Sequence, residues 1–463
     1  MAKQGFRGVL TLDKVIAEAT GPNGAGNQTT LRWSRSVSGS GFSRCFQDVM
    51  SDGGEISEVR AVRDVAVVGS GPAGLAAALA LAHVGADVAL IGPSPVKTSV
   101  GPLETRTAAL LTSSVDLLKA LQVWQALSPQ AAPLKAIRII DASRNLLRAP
   151  DIEFKASELG LEAFGYNIAN TALVEGLYAR AQEVLPAVIP ASVRHIALDG
   201  SEVRLTLSEG APMPVRLVAG ADGKRSICRE SAKIAVTERR YDQGAIATSF
   251  RHTLPHQGVS TELHKEQGSV TTVPLPDPRA SSLIWVGPLS EIMPLMLLDE
   301  ARFEDALGER LGGLLGSLSE VGARAQFPVA GQSADMIACN RTALVGDAAH
   351  ILPPIGAQGL NLGFRDAAAL ADCVAEALRR GGDPGGEDVL AAYRRARKLD
   401  VLTRTVGVDL LSRSLLTSLI PLQAARGIVS HGLNALPPLR RIVMRLGLAS
   451  PTELPTLMRP APG

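Results

Sequence analysis

Residues 63–92, RDVAVVGSGPAGLAAALALAHVGADVALIG, constrain the fold more than any other stretch of this 463-residue chain. Val65 to Val68 reads as a short apolar strand, Ala73 to Val84 as a helix, and Asp87 to Ile91 as a second strand. Between the first strand and the helix, Gly69, Gly71 and Gly74 fall in the spacing GxGxxG. Strand, glycine turn, helix and strand in this order make the βαβ unit of a dinucleotide site. Gly69 permits the tight turn, Gly71 lets backbone approach a pyrophosphate, and Gly74 lets the helix pack closely on the strand. The helix N-terminus adds free N–H groups and partial positive charge. The expected fold class is therefore α/β. One position departs from the pattern. An acid is expected at the end of the second strand to hold a ribose hydroxyl, and Gly92 stands there, with Lys97 nearby. Ribose binding by backbone and hydroxyl groups and a 2′-phosphate site both stay open, so this motif does not choose between NAD(P) and FAD.

Composition narrows the remaining classes. A formal net charge of +2 argues against a nucleic-acid binder that relies on bulk positive charge. The four cysteines, Cys45, Cys228, Cys339 and Cys373, form no CxxC pair and no zinc-like spacing with histidine, so no metal is expected. The run from Leu75 to Ile91 is broken by His83, Gly85 and Asp87, and no stretch is long and apolar enough to span a membrane. A reduced, cytoplasmic compartment is the simple reading. Residues 1–61 are rich in Ser, Thr, Gly and Arg without periodicity. They are expected to be an unstructured extension, with a transit-like leader as the alternative.

Three further segments bear on the cofactor. ETRTAALLTSSVDLLKALQVW, Glu104 to Trp124, has a polar start and a helical pattern through Leu110, Val115, Leu118 and Leu121. Its Arg106 is placed to reach a phosphate or a ring edge, the alternative being a solvated helix-start arginine. RLVAGADGKRSICRESAK, Arg216 to Lys233, is a strand ending in Gly220-Ala221-Asp222-Gly223, followed by Ser226 and Arg229. ALVGDAAHILPPIGAQGLNLGFRDAAALADCV, Ala343 to Val374, is a strand ending in Gly346-Asp347, a Pro353-Pro354 loop and a glycine-rich helix entry.

In this order, GxGxxG, ADGxxSxxR and GDAAHxxPPxGAxGLNL strongly resemble the FAD-dependent aromatic monooxygenases of the para-hydroxybenzoate hydroxylase type, over about residues 64–397. ETRTAALL, FGYNIANTALVEGLYARA, SVTTVPLPDPRASSLIWVG and GLNALPPLRRIVMRLGLAS resemble the ubiquinone-biosynthesis branch of that family more closely. The departures from the family are Gly92 for its usual acid and Glu104 for Asp. The resemblance implies FAD as cofactor, held by Gly69, Gly71, Gly74, Arg106, Asp222, Gly346, Asp347, Gly356, Gln358, Gly359 and Asn361. It places Pro353, Pro354, Gly356 and His350 near the flavin ring. Asp347 would accept from ribityl hydroxyls, Gln358 and Asn361 would donate to a ring carbonyl, and the helix N-terminus would face the pyrimidine edge. Read from the residues alone, Asp347, Gln358 and Asn361 are also ordinary caps. His350 is expected to be structural rather than a catalytic base, because the flavin carries the oxygen chemistry through a C4a-hydroperoxide.

The resemblance further implies a Rossmann-like FAD domain made of residues 62–133, 169–233 and 330–398. Residues 134–168 and 234–329 would form a mixed-sheet substrate domain, and 399–463 a C-terminal helical region. The substrate would be a polyprenylated phenol or benzoquinone precursor in an apolar pocket. No second GxGxxG is present; the resemblance implies that the reductant, NAD(P)H or another donor, docks transiently against the same domain, and it implies other quinone-biosynthesis proteins as partners. The Leu- and Arg-rich residues 401–448 read equally as a segment lying peripherally on the inner face of the cytoplasmic membrane and as one packed on its own domain. Two rival functions remain: a monooxygenase of a small soluble phenol or aromatic acid, and a non-catalytic flavoprotein scaffold of a quinone-biosynthesis complex.

Overall fold

The computed structural model describes residues 17–19, 27–29, 62–95, 105–142, 150–265, 268–353, 358–416, 435–448 and 453–460. Residues 1–62 and 63–463 form separate compact units. In the first, expected to lack structure, the described residues are a short antiparallel pair, β1 (Ala17–Ala19) with β2 (Asn27–Thr29).

The second unit starts with β3 (Arg63–Val68), α1 (Pro72–His83) and β4 (Val88–Ile91). The helix follows from a run of Ala and Leu with Pro72 in its first turn, a position where proline's missing N–H costs nothing. It ends where Gly85 takes a φ of +90°. The strands β3 and β4 pair in parallel, Val65 opposite Val88 and Val68 opposite Ile91. Val65 to Val68 are buried throughout, as expected of parallel strands covered on both faces. On one face Val65 and Val67 meet the helices; on the other Ala66 and Val68 meet Val203, Leu205 and Val215.

The strand β5 (Thr107–Leu111) precedes α2 (Thr112–Ala120). This corrects the sequence reading, in which Leu110 belonged to the helical pattern: Thr107 to Leu111 instead pair antiparallel with β9 (Gly165–Ala169). That small sheet also includes β6 (Ala131–Pro133). Next come β7 (Ala136–Asp141), β8 (Ile152–Lys155) and, after β9, α3 (Asn170–Val184). The first sheet is completed by β10 (Ala187–Ile189), β11 (Val193–Asp199), β12 (Glu202–Leu207) and β13 (Met213–Gly220). Its order is β10-β4-β3-β13-β12-β11. One edge of β13 serves two partners. Its first residues pair with β12, and Val218 to Gly220 pair in parallel with β21 (Thr342–Leu344), beside β20 (Ala338–Cys339).

After α4 (Ile227–Ser231), the chain builds a larger sheet. Its strands are β14 (Val236–His252), β15 (Val259–Lys265), β16 (Gly268–Pro274), β17 (Ala280–Pro288), β18 (Leu318–Ser319), β19 (Ala325–Ala334), and β22 (His350–Ile351), joined by β7 and β8. Every pairing is antiparallel except β7 with β15. Two helices not anticipated from sequence, α5 (Leu289–Leu297) and α6 (Glu300–Leu311), cover it. Phe303, Leu307 and Leu311 pack there on Ile246, Phe250, Leu283 and Trp285. The helices α7 (Gln358–Arg379), α8 (Glu387–Leu416) and α9 (Pro437–Leu448) follow, and a 3-10 turn, Thr456–Met458, closes the described chain. The strand β19 runs through the boundary expected at 330, and α8 through the one expected after 398.

Candidate functional site

The first glycine turn is held by sterics on two sides. Gly69 has a φ of +119°, and a Cβ on it would lie 2.2 Å from the Ala221 carbonyl oxygen. A Cβ on Gly74 would lie 2.0 Å from the Gly69 oxygen. Gly71 is exposed, and a Cβ there would meet nothing within 4 Å. The absent acid at Gly92 also has a cause. A Cβ on that residue would come 2.7 Å from the Ser70 nitrogen, while the Ser70 hydroxyl donates to the Pro93 carbonyl at 2.5 Å. The turn occupies the space in which a side chain at position 92 would begin.

The second turn leaves β13 beside the first, with the Ala221 N–H donating to Val68 O at 2.8 Å. Asp222 Oδ2 accepts the Cys228 N–H at 3.1 Å, at the start of α4. Asp222 Oδ1 is buried without a hydrogen-bond partner, a costly arrangement unless a donor arrives. Ser226 caps the same helix by accepting the Arg229 N–H at 2.9 Å. The buried Arg229 donates through Nη1 to Ala348 O at 2.9 Å and through Nη2 to Lys224 O at 2.8 Å, tying the second turn to the third.

The third turn, Gly346 to Ala348, follows β21. The Val345 N–H donates to Gly220 O at 2.8 Å. Gly346 has a φ of +61°, and its notional Cβ would lie 3.0 Å from Ala73 Cβ, on the first turn's helix. A Cβ on Gly363 would lie 3.2 Å from both Ala73 Cβ and Gly346 Cα. Residues near positions 70, 222 and 347 are thus brought to one place. Asp347 is exposed, yet the protein crowding around it pushes its carboxyl above the ordinary range, with a nearby His350 acting in the opposite direction.

His350 is buried, and its Nε2 lies 2.6 Å from Asp366 Oδ2. Asp366 also accepts the Gly346 N–H at 2.9 Å and Arg397 Nε at 2.7 Å. Burial opposes charge on Asp366, but His350 and Arg397 outweigh it and hold its carboxyl below the usual range. Arg397 continues to Asp400 at 2.6 Å, and Asp400 meets Arg365 at 3.4 Å. This buried network holds His350 against Asp366. Sequence reasoning missed Asp366, Arg397 and Asp400; the one available signal was Arg365-Asp366 interrupting the apolar face of a helix.

The other expected site residues divide. Asn361 is buried. Its Oδ1 accepts from the Leu111 N–H at 2.8 Å and Ser114 Oγ at 2.6 Å, and its Nδ2 donates to Ala109 O at 2.8 Å. It therefore pins the start of α7 to the β5–α2 junction. Gln358 opens α7, whose first turn carries no acid, and a Cβ on Gly359 would meet open space. The first turn of α1 also lacks an acid, so both N-termini keep their positive ends available to an anion or carbonyl. Arg106 is exposed just before β5. Pro354 and Gly356 lie outside the described residues. Pro353 lines a cavity of about 760 Å³ together with Tyr241, Met336, Ile337, Leu352 and Val401, and Arg239, Arg395 and Lys398 also border it. Among the described residues no group of His, Cys, Asp and Glu is arranged to hold a metal, and the Cys373 thiol is pushed up to about 11 by burial and Asp372.

Residues 63–405 match the sequence family described as "FAD binding domain". The ubiquinone hydroxylase UbiL of Rhodospirillum rubrum is 33% identical over 87% of this chain and 94% of its own length. The 3-demethoxyubiquinol 3-hydroxylase of Escherichia coli is 31% identical over 79% of this chain and 93% of its own. Among solved structures, the p-nitrophenol 4-monooxygenase PnpA of Pseudomonas putida superposes with a TM-score of 0.69 at 20% identity, covering 85% of this chain and 99% of its own.

Proposed function

The chain belongs to the FAD-binding monooxygenase family of the ubiquinone hydroxylases, and on that footing we propose that it hydroxylates the aromatic ring of a polyprenylated phenol or benzoquinone precursor of ubiquinone. It is an FAD-dependent monooxygenase. The observation that supports the proposal is the meeting of the three turns, near Gly71, Asp222 and Asp347. The residues fit FAD: open space at Gly71, an orphaned Asp222 Oδ1, and two acid-free helix N-termini.

When bound, FAD supplies the activation of O₂ and the transfer of one oxygen atom. The protein's own groups bind and orient. The α1 N-terminus and the Gly69–Gly71 backbone hold the pyrophosphate. Asp347 accepts from ribityl hydroxyls, more strongly once ionised. The α7 N-terminus and Gln358 would favour negative charge on the bound ring. Arg106, exposed just before β5, would neutralise phosphate or ring charge. NAD(P)H or another donor serves as reductant. Asp366, holding Gly346 and His350, keeps the third turn in place. The cavity that Pro353 lines, about 760 Å³ with Tyr241, Met336, Ile337, Leu352 and Val401 in its wall, would receive the isoprenoid tail. A lipid-resident substrate of this kind also calls for delivery at a membrane surface, with other quinone-biosynthesis proteins as suppliers.

Arg239, Arg395 and Lys398 around the cavity favour one second reading, a small aromatic acid anchored by its carboxylate. Mass-spectrometric profiling of quinones in a deletion strain separates the two. Accumulation of an under-hydroxylated prenylated ring, reversed by the wild-type gene, supports the proposal. Unchanged quinones together with rapid reductant oxidation on a soluble aromatic acid would replace it with the second reading. Rescue by a flavin-free Gly71→Val variant would instead mean a non-catalytic scaffold.

A further inference from the structure

The two faces of the large sheet are covered differently. On the face under α5 and α6, Leu263, Val270, Thr272, Leu283 and Trp285 are buried. On the other face the alternate positions Glu262, His264, Thr271, Val273 and Ile284 are partly exposed, although β15, β16 and β17 are inner strands. This second face meets the FAD-binding part of the chain. Its Ser282 Oγ lies 2.9 Å from Thr107 Oγ1 of β5 and accepts Asn167 Nδ2 of β9 at 3.3 Å. Farther along, Tyr241 belongs both to the apolar cluster on this face, with Ala245, Val286 and Phe327, and to the wall of the Pro353 cavity. A stretch of sheet is thus left open between β5 and β9 on one side and that cavity on the other. A pair of titratable side chains stands on it. His264 Nε2 lies 3.1 Å from Glu262 Oε1, with 15% and 19% of the two side chains exposed. Alternation along β15 puts both on the same face, and the register sets Glu262 opposite Thr271, and Thr271 opposite Ile284. Level with His264 are Ser269 of β16 and Asp141 of β7, so the charged groups that the register brings around the imidazole on this face are two carboxylates.

We propose that His264 is the base that takes the proton of the substrate's phenolic hydroxyl, with Glu262 as its positioning residue. The inference rests on the reading of this chain as a hydroxylase of a phenolic ring. With Glu262 ionised, Nε2 carries the imidazole proton and Nδ1 keeps a lone pair. The phenol O–H bond breaks, the proton passes to Nδ1, and the electron pair stays on the oxygen. From there it enriches the ring carbons, one of which receives the oxygen atom. Glu262 balances the imidazolium so formed, and the same imidazolium returns the proton to the product's oxygen. The two carboxylates also disfavour a ring carboxylate at this end of the face, so a hydroxyl donor is the partner that suits it.

The test uses the full-length FAD-loaded protein and two probes, 2-geranylphenol and 2-geranyl-4-nitrophenol, the second having a coloured phenolate. Bound to wild type, the nitrophenol should keep its phenolate colour to a pH about one unit or more below that of the free probe; bound to His264→Gln it should not. Hydroxylation of 2-geranylphenol should fall about a hundredfold or more in kcat for His264→Gln and by less for Glu262→Gln, with KM little changed. The residual rate of His264→Gln should climb with pH as the phenol ionises unaided. FAD content and circular dichroism, which should not change, show that fold and flavin site are intact. The proposal is overturned if His264→Gln keeps the wild-type kcat and pH profile, if the bound nitrophenol ionises alike in wild type and variant, or if the variant only loses probe binding. Wild type that ionises the bound probe through His264 yet hydroxylates no prenylated phenol would instead retire the reading of the function and leave the proton acceptor in place. Wild type that binds neither probe overturns both.

Discussion

Gly71 and Gly74 stand three residues apart and do opposite work. Gly74 is required by packing, because a side chain there would enter the Gly69 carbonyl. Gly71 has ordinary backbone geometry and open space at its Cα; only a ligand would object to a side chain. Gly74→Val should therefore destabilise the cofactor-free protein by about 3 kcal/mol, the upper end of overpacking costs. Gly71→Val should leave its melting temperature nearly unchanged while lowering FAD affinity by two orders of magnitude or more. Denaturant melts and flavin fluorescence titration distinguish the two outcomes. The same steric logic applies to Gly92. Restoring the acid that the family usually carries, as Gly92→Glu, should destabilise the fold by collision with Ser70 and should not tighten FAD. Asp347 adds a pH test. Its carboxyl is raised in the folded chain, so the folded state holds that proton more tightly than the unfolded one, and stability falls as pH rises through the window above the ordinary carboxylate value. Asp347→Asn should accordingly raise the melting temperature of the cofactor-free protein at pH 7 and weaken FAD binding at once.

At the scale of elements, α7 and α8 are joined by charge as well as by apolar packing. Arg397 reaches from α8 to Asp366 on α7, and Asp366 reaches on to the third turn. Breaking a buried pair by removing one partner leaves an uncompensated charge and costs about 3–5 kcal/mol. Arg397→Met should show a loss of this size at pH 7. Because Asp366 is depressed below the usual carboxylate range, its contribution is present above that range and is lost as pH falls through its lowered value. The stability gap between wild type and Asp366→Asn should then narrow in strong acid, as urea melts across pH would show. These elements also mark what sequence can and cannot reveal. The βαβ unit was readable because its glycines, apolar strands and Ala-Leu helix all agree. The strand Thr107–Leu111 was not, since five residues leading into a helix carry apolar spacing that suits either state, and pairing with Gly165–Ala169 decides it. The pair α5 and α6 was obscured by Pro294 inside the first helix and by the strong alternation of the strands before it.

For the molecule as a whole, the three motifs gave the order of the site but not its joints. Nothing local in sequence announces that Arg229 will hold Ala348, or that a carboxamide at 361 will be consumed by β5, because each contact joins residues more than a hundred positions apart. Cofactor binding should act on the whole unit. A ligand that binds only the folded chain adds about 2.7 kcal/mol at a hundredfold excess over its Kd. Saturating FAD should therefore raise the melting temperature of wild type by several degrees and that of Gly71→Val not at all, as differential scanning fluorimetry would record.

The shared edge of β13 has a consequence for biosynthesis. Val218 to Gly220 wait for a partner that is translated more than a hundred residues later, and the turn that follows that partner is secured from α8, later still. A ribosome must release most of the polypeptide before flavin has anywhere to lodge, so cofactor capture belongs to the last stage of synthesis, and chains interrupted upstream of α8 emerge colourless.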